Sequence, residues 1–463
     1  MSNLLDKASI VLTPTAYDNG KVLCVKPSDG SGDFDFSRNS AATRVNAQGL
    51  VENVQTISGN LLDYSTFTSS SASWSLVGGL WVYDDTANGF ILTSSIDVVV
   101  GDVFDVVIDL TIASGNANLR YSSSNAQTTL FPFTDFVDGV NEFQATVTGV
   151  DGFLQRLFAP ASLTDNPFTL NSISIKKISQ DTNLPRINYD GFSFDGSGNI
   201  IPDSGCGSWL FEPQSTNLYL NSETLSTQTI TTTANQYSVS FYGTGTITFS
   251  GTHTGSLTGT GLNDRVTATF SANAGTLTST VSGTVTKAQI EQLNFATSYI
   301  PTTTTTVTRN QDVCTGGGSA ASINSTEGVL YFEGSALAND GTSRRISLND
   351  GTSSNKVNLE YDETSNRIRA SITSGGSAQT LTYNAPNLLQ FNKIAVKYKL
   401  NDFAIWFNGV EVVTDTSGNA PISLTELSFN NSGTSLPFFG KTKAVAVWKE
   451  ALTDAELTSL TTI

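Results

Sequence analysis

Paired carboxylates, lone nucleophiles and accessible aromatic rings are the usual means by which a chain acts on a ligand, and this sequence arranges few of them. The run Glu360-Tyr361-Asp362-Glu363 comes nearest to a catalytic carboxylate pair. A retaining glycoside hydrolase holds two carboxyl groups roughly 5 Å apart, a spacing that alternate residues on one strand face can supply. The run breaks off at Thr364-Ser365-Asn366, so it reads as the solvated end of a hairpin. Asp84-Asp85 and Asn349-Asp350-Gly351 carry hard oxygen ligands suited to calcium, but their spacing fits turn chemistry and not a calcium loop. His253 is the only histidine, which excludes a metal triad or proton relay built on two imidazoles. Cys24, Cys206 and Cys314 are widely spaced, with no CxxC or zinc pattern, and read as free, mostly buried thiols. No catalytic residue, resident metal or cofactor is expected.

Aromatic faces stack on the apolar faces of sugar rings. Trp74 and Trp81 flank the Gly78-Gly79 turn, and with Tyr83 they are the candidates for glycan binding. Trp406 and Trp448 fall on alternating strands and read as core.

Phe36 to Glu52 is the most unusual stretch. It places Arg38 and Arg44 among Ser, Asn, Thr and Ala, with few bulky apolar side chains. Guanidinium groups there can tie neighbouring segments together through several hydrogen bonds, which makes the stretch a structural clamp. The alternative is an Arg-lined anion or ligand site. Asn46 to Gly49 predicts a turn, with Thr43–Val45 and Leu50–Val51 as the arms of a short hairpin.

The elements that must position these residues are strands. The 463 residues carry a net charge of −17, with only 14% charged side chains and 39 glycines. Such an acidic field repels nucleic-acid phosphate and anionic membrane surfaces, so neither is expected as a partner. The most apolar region, 90–112, contains four aspartates, which excludes a membrane-spanning segment there. No secretory leader is visible in the first residues, and synthesis in a reducing cytoplasm is expected. Period-two alternation and Ser/Thr/Gly-rich faces predict an all-β chain of several β-sandwiches or jelly rolls. The one convincing helix is C-terminal, with Thr453 as N-cap and Glu456 three residues on.

Five segments follow: 1–56, an N-terminal unit holding the Arg-rich stretch; 57–178, an inserted sandwich; 179–220, a resumption of the first unit; 221–312, a second sandwich; and 313–463, a last domain. The Thr302–Thr306 run is a linker or an extended edge strand, and threonine favours the strand. Asn408-Gly409 between Phe403–Phe407 and Val410–Val413 is the strongest hairpin signal.

Several blocks resemble structural and fibre proteins of tailed bacteriophage virions: Lys7–Tyr17, Gly32–Asn46 with Gly49–Glu52, Leu184–Tyr189, Leu210–Leu218, Ala296–Thr302 and Thr308–Asp312. In that family the blocks follow one another more closely, which marks 57–177 as an insertion. The last domain resembles the concanavalin A-like (laminin G-like) jelly roll through Phe391–Val396, Ile405–Gly409 and Gly440–Leu457. That fold serves lectins and glycan hydrolases alike, but the hydrolase pattern Glu-x-Asp-x-x-Glu is missing here.

The resemblance implies a virion protein, a head or tail fibre or a fibre-like decoration, assembled in the host cytoplasm. It would be a homo-oligomer, by resemblance a homotrimer, docked on capsid, portal or tail proteins and attaching to host-surface glycan. The alternatives are a virion-borne glycan depolymerase and a structural spacer without a ligand. Because the resembling blocks are separated by two sandwiches, Arg38, Arg44, Arg186, Glu212, Asn217 and Arg309 are expected to form the clamp that closes a discontinuous unit. Replacing Arg38 or Arg44 by Ala should then damage folding or assembly and not ligand affinity.

Overall fold

Strict alternation decides most strands. In Val103–Ile112, Phe104, Val106, Ile108 and Leu110 are buried while Asp105 and Asp109 lie on the opposite, half-buried face, the signature of a strand with one face on a core. The computed structural model describes residues 2–69, 71–161, 167–179, 182–189, 192–194, 200–202, 205–433 and 435–463. All strand pairs of named strands in it are antiparallel, and the chain is all-β. The exceptions are Asp454–Thr461, a turn of 3-10 helix at Tyr64–Thr66, and a helix at Ser2–Lys7 that was not expected. The C-terminal helix is capped as its sequence requires: the Thr453 side chain accepts from the Glu456 amide, and the Glu456 side chain accepts from the Thr453 amide. No helix among the described residues is long and apolar enough to cross a membrane.

Two compact units emerge, Gln55–Gln180 and a larger one made of Met1–Val54 with Asp181–Ile463. The first is a sandwich of two six-stranded sheets around Phe104, Val106, Ile108, Leu119, Leu154 and Ile175.

In the larger unit, residues 228–291 form a smaller sandwich of a four-stranded and a three-stranded sheet, with Tyr237, Val239, Phe241, Ile247 and Ile290 inside. The rest closes on one core. Gly440–Trp448 sits inside an eight-stranded sheet, pairing with Glu327–Ala336, with Ile10–Leu12 and with Ser208–Phe211. Ile10, Leu12, Phe34, Phe36, Trp209 and Phe211 therefore share a core with Leu330, Ile346, Leu359 and Val445. The expected segments 1–56, 179–220 and 313–463 do not have separate cores; three strands too short to stand alone complete the sheet of the last domain. Facing it is a five-stranded sheet ordered Ser377–Asn384, Arg367–Ser374, Lys356–Tyr361, Arg344–Asn349 and Glu426–Ser428.

The Asn408-Gly409 hairpin forms as expected, both residues at positive φ (49° and 88°). Phe192–Phe194 pairs with Ile200–Pro202, and the turn that Asp195-Gly196-Ser197-Gly198-Asn199 predicts between them lies outside the described residues. Thr302–Thr306 is not a strand. Thr302 donates its hydroxyl to the Tyr219 carbonyl at 2.6 Å, and the Thr303 carbonyl accepts from the Asn221 amide at 2.7 Å, which pins the run as a link. Of the three free thiols, only Cys314 is buried; Cys24 is half-buried, donating to the Gly32 carbonyl and pushed up to about 12 by burial and Asp33, and Cys206 is exposed.

Candidate functional site

The clamp residues converge in the larger unit, and they are more buried than an anion site would be. Arg38 meets Asp312 at 3.2 Å, and Arg186 binds Asp312 through one nitrogen and Glu212 at 2.6 Å through the other. Arg309 meets the same Glu212 oxygen at 2.7 Å. All three guanidinium side chains have no exposed surface, and the Glu212 side chain has 3%. Glu291, fully buried, accepts from the Ser215 hydroxyl and from both the amide and hydroxyl of Thr297. Three buried cations are thus matched by three buried carboxylates, the condition under which charges can leave water. Ser298 donates its amide and hydroxyl to Glu212 at 2.7 Å each. Burial would raise the Glu212 carboxyl, but Arg309 and Arg186 with the Ser298 hydrogen bond outweigh it and hold it down to about 2. Desolvation lowers Arg38 to about 10 against the pull of Asp312.

Four stretches distant in sequence meet at this knot: 36–45, 183–217, 291–298 and 307–312. Asn183 accepts from the amides of Arg38 and Asn39 at 2.9 Å, and the Thr43 carbonyl accepts from Arg186. Asn217 is a second tie: its amide donates to the Ala288 and Ile300 carbonyls, and its oxygen accepts from the Tyr219 and Ile290 amides. Arg44 stands apart. It pairs with Glu52 at 2.8 Å, with the two side chains 25% and 36% exposed, and donates to the Tyr17 hydroxyl. Sequence reasoning missed Asp312 and Glu291, two of the three balancing anions.

The aromatic candidates do not form a sugar platform. Trp74, Trp81 and Tyr83 are 3%, 6% and 1% exposed. Trp74, Tyr83 and Phe168 pack in mutual contact with centroids 5.1–5.4 Å apart, so their faces are spent inside the sandwich core. The exposed large apolar side chains of that hairpin are Leu76, Val77 and Leu80. Trp406 and Trp448 are core, as expected. His253 stacks on Phe270 with centroids 4.1 Å apart.

The carboxylate run also departs from expectation. Glu360 and Asp362 are 1% and 3% exposed, so this is not a solvated hairpin end. Strand register explains the burial. Glu360 lies opposite Arg345 on one neighbouring strand and Arg369 on the other, and both guanidinium groups bind it. Asp362 is bound by Arg367 and by Arg369 at 3.4 Å, and Glu363 by Arg369 at 2.9 Å. Carboxylate oxygens of Glu360, Asp362 and Glu363 lie within 4.8 Å of one another, near enough for a metal, but three guanidinium groups already neutralise them. Desolvation pushes Asp362 up, yet Arg367 and its other donors keep it below the usual carboxylate range. At Asp84 and Asp350, the other calcium candidates, each carboxylate accepts from the amide and hydroxyl of the threonine two residues on. These are turns.

These charges belong to a sheet face that is polar apart from Ala378, which lies opposite Thr373. Its rows are Thr382–Arg369–Glu360–Arg345, Thr380–Ser371–Asn358–Ser347 and Thr373–Lys356–Asn349. Ile346, Leu359, Ala370 and Leu381 point the other way into the core. Lys356 and Asn358 both donate to the Asn431 side-chain oxygen, at 2.8 and 2.9 Å. The Arg345, Arg367 and Arg369 side chains stay 16%, 31% and 18% exposed, and Thr380 and Thr382 are exposed.

The family model described as the concanavalin A-like lectin/glucanases superfamily matches residues 335–458. No curated protein matches the chain. Among solved structures, the Ruminococcus gnavus IT-sialidase CBM40 bound to alpha2,3 sialyllactose is 18% identical, with a TM-score of 0.27 over 30% of this chain and 84% of that one. Domain 4 of AbnA, an extracellular arabinanase from Geobacillus stearothermophilus in complex with arabinotriose, is 13% identical, with a TM-score of 0.27 over 33% and 73%. Likenesses with such low TM-scores carry no argument about this chain. The family match and the two facing sheets do: the C-terminal part of the chain is a concanavalin A-like, laminin G-like jelly roll.

Proposed function

We propose that the chain is a carbohydrate-binding virion protein, a fibre or fibre-like decoration of a tailed bacteriophage that attaches to host-surface glycan. The observation that carries the binding part is the polar face of the five-stranded sheet, where Arg345, Arg367 and Arg369 keep exposed surface beside Ser371, Thr380 and Thr382. Sugar hydroxyls both donate and accept, and a flat array of guanidinium, hydroxyl and amide groups meets them without having to reorganise. The match to a lectin-type fold supports the same reading. The virion part rests on the blocks of resemblance, including Phe36–Glu52 and Leu210–Leu218. With it come homo-oligomeric, trimeric assembly in the host cytoplasm and docking on capsid, portal or tail proteins.

Depolymerase activity is the second reading, because Glu360 and Asp362 lie two positions apart on one face. A glycosidase acid must carry a proton at working pH, which requires its pKa to be raised. Asp362 is lowered instead, and Glu360 is clasped by two guanidinium groups. Binding without cleavage is the better supported role.

Screening the purified chain on a glycan array, with Arg369→Ala beside it, tests this. Binding that drops at least tenfold in a variant with an unchanged melting curve is the expected result; binding indifferent to Arg369 would end the sheet-face assignment. Incubation with host polysaccharide should release no reducing ends, and release would install the depolymerase reading. Labelled antibody on intact particles should decorate them, and bare particles would remove the virion role.

A further inference from the structure

A cleft of about 340 Å³ lies in the larger unit between the 228–291 sandwich and the jelly roll, and it shares no residue with the polar sheet face. The half-buried rings of Phe295 and Phe439 line it, together with the exposed amides of Asn235, Gln292 and Asn294, and Asp340. We propose that this cleft is a second binding site, taking one neutral sugar residue of a glycan. The proposal rests on the glycan-binding reading but on a different surface.

The volume is at the low end of the roughly 300–1,000 Å³ usual for ligand pockets, so it suits one ring and its substituents. The chemistry pairs two kinds of group that a hexose needs. Aromatic faces take up its apolar C–H face, and planar amides or carboxylates engage vicinal hydroxyls through two parallel hydrogen bonds. Asp340 is held in place for that role. It meets Arg344 at 2.8 Å, accepts from the Thr342 amide at 3.0 Å, and accepts from the Asn294 side chain at 3.1 Å across the cleft. Arg344 and the accompanying hydrogen bonds outweigh burial and hold the Asp340 carboxyl down to about 2, so it is an acceptor at any working pH. A carboxylated sugar is disfavoured: the Arg344 charge is already matched by Asp340, and the chain as a whole carries −17.

The test uses the full chain on a glycan array with neutral and acidic members scored separately. Wild type, Phe439→Ala, Gln292→Ala and Arg369→Ala are compared, each checked by thermal melting. Neutral glycans should bind wild type, lose tenfold or more with Phe439→Ala, and lose severalfold with Gln292→Ala. Gln292 is exposed, so its variant reports on the cleft even if Phe439→Ala melts early. Neutral binding that ignores Phe439 and Gln292, binding of acidic members only, or no binding by any neutral member would each overturn the cleft site. Loss of binding with Arg369→Ala alone would overturn it while leaving the sheet-face reading intact.

Discussion

Three guanidinium groups meet a set of carboxylates twice in the larger unit, and the two clusters differ on the side of the cation. At the knot, Arg38, Arg186 and Arg309 have no exposed side-chain surface. On the sheet face, Arg345, Arg367 and Arg369 keep 16–31%, although Glu360 and Asp362 beneath them are as buried as the knot's anions. A buried pair that loses one partner strands an uncompensated charge, whereas a partly solvated guanidinium can be exchanged for water or for a ligand hydroxyl. The knot is built to stay closed. The sheet face keeps the same chemistry within reach of solvent.

The sharpest way to break this comparison is Arg186→Ala. It takes one of the two guanidinium partners from both Asp312 and Glu212 and leaves the knot one cation short, and should destabilise the larger unit by about 3–5 kcal/mol in urea titration. A loss below about 1 kcal/mol would put the knot in the same class as a surface pair. Acid should act next most strongly. Glu212 is depressed from 4.5 to about 2 in the folded chain, so its stabilisation is present above the unfolded value and is lost as pH falls from about 4.5 toward 2. That is on the order of 3 kcal/mol. Urea midpoints should fall more steeply between pH 5 and pH 2.5 for wild type than for Glu212→Gln; parallel curves would remove Glu212 from the account. The smallest effect belongs to Arg44→Ala. Its pair with Glu52 is 25% and 36% exposed, which predicts a cost of about 0.5–1 kcal/mol, reduced further by added salt. A cost equal to that of Arg186→Ala would return Arg44 to the knot, where the sequence had grouped it.

What could be read from the sequence was local. The capping box at Thr453 and Glu456, the Asn408-Gly409 hairpin and the alternation in Val103–Ile112 each need only neighbours within a few residues. The knot was legible as a set of odd arginines with Glu212, but its other two anions, Asp312 and Glu291, were not. Nothing near Asp312 shows that it will meet residues 126 and 274 positions away. Trp74 and Trp81 misled for a related reason. The Gly78-Gly79 turn marks the tip of their hairpin correctly, while the distant strand Phe168–Ser179 pairs with Leu80–Tyr83 and brings Phe168 against the Trp74 ring. The charges around Glu360 were within reach. The sequence pattern predicts strands at 345–348, 356–361 and 367–372, and their antiparallel pairing sets Arg345 and Arg369 on either side of Glu360, a register that hairpin geometry implies.

The strand Ile10–Leu12 has a consequence for how the molecule is made. Its neighbour in the sheet is Gly440–Trp448, and the Ser9 hydroxyl bonds to Val447 across 438 positions. A ribosome at about 5–20 residues per second therefore leaves the early strand without its mate for tens of seconds. In that interval Gln55–Gln180 has every strand of its own two sheets and can fold in isolation, while the flanking segments wait as unpaired edges. Closure of the sheet must wait until Gly440–Trp448 has emerged, so a ribosome that stops short of Gly440 releases a chain with its first strand still open to other molecules.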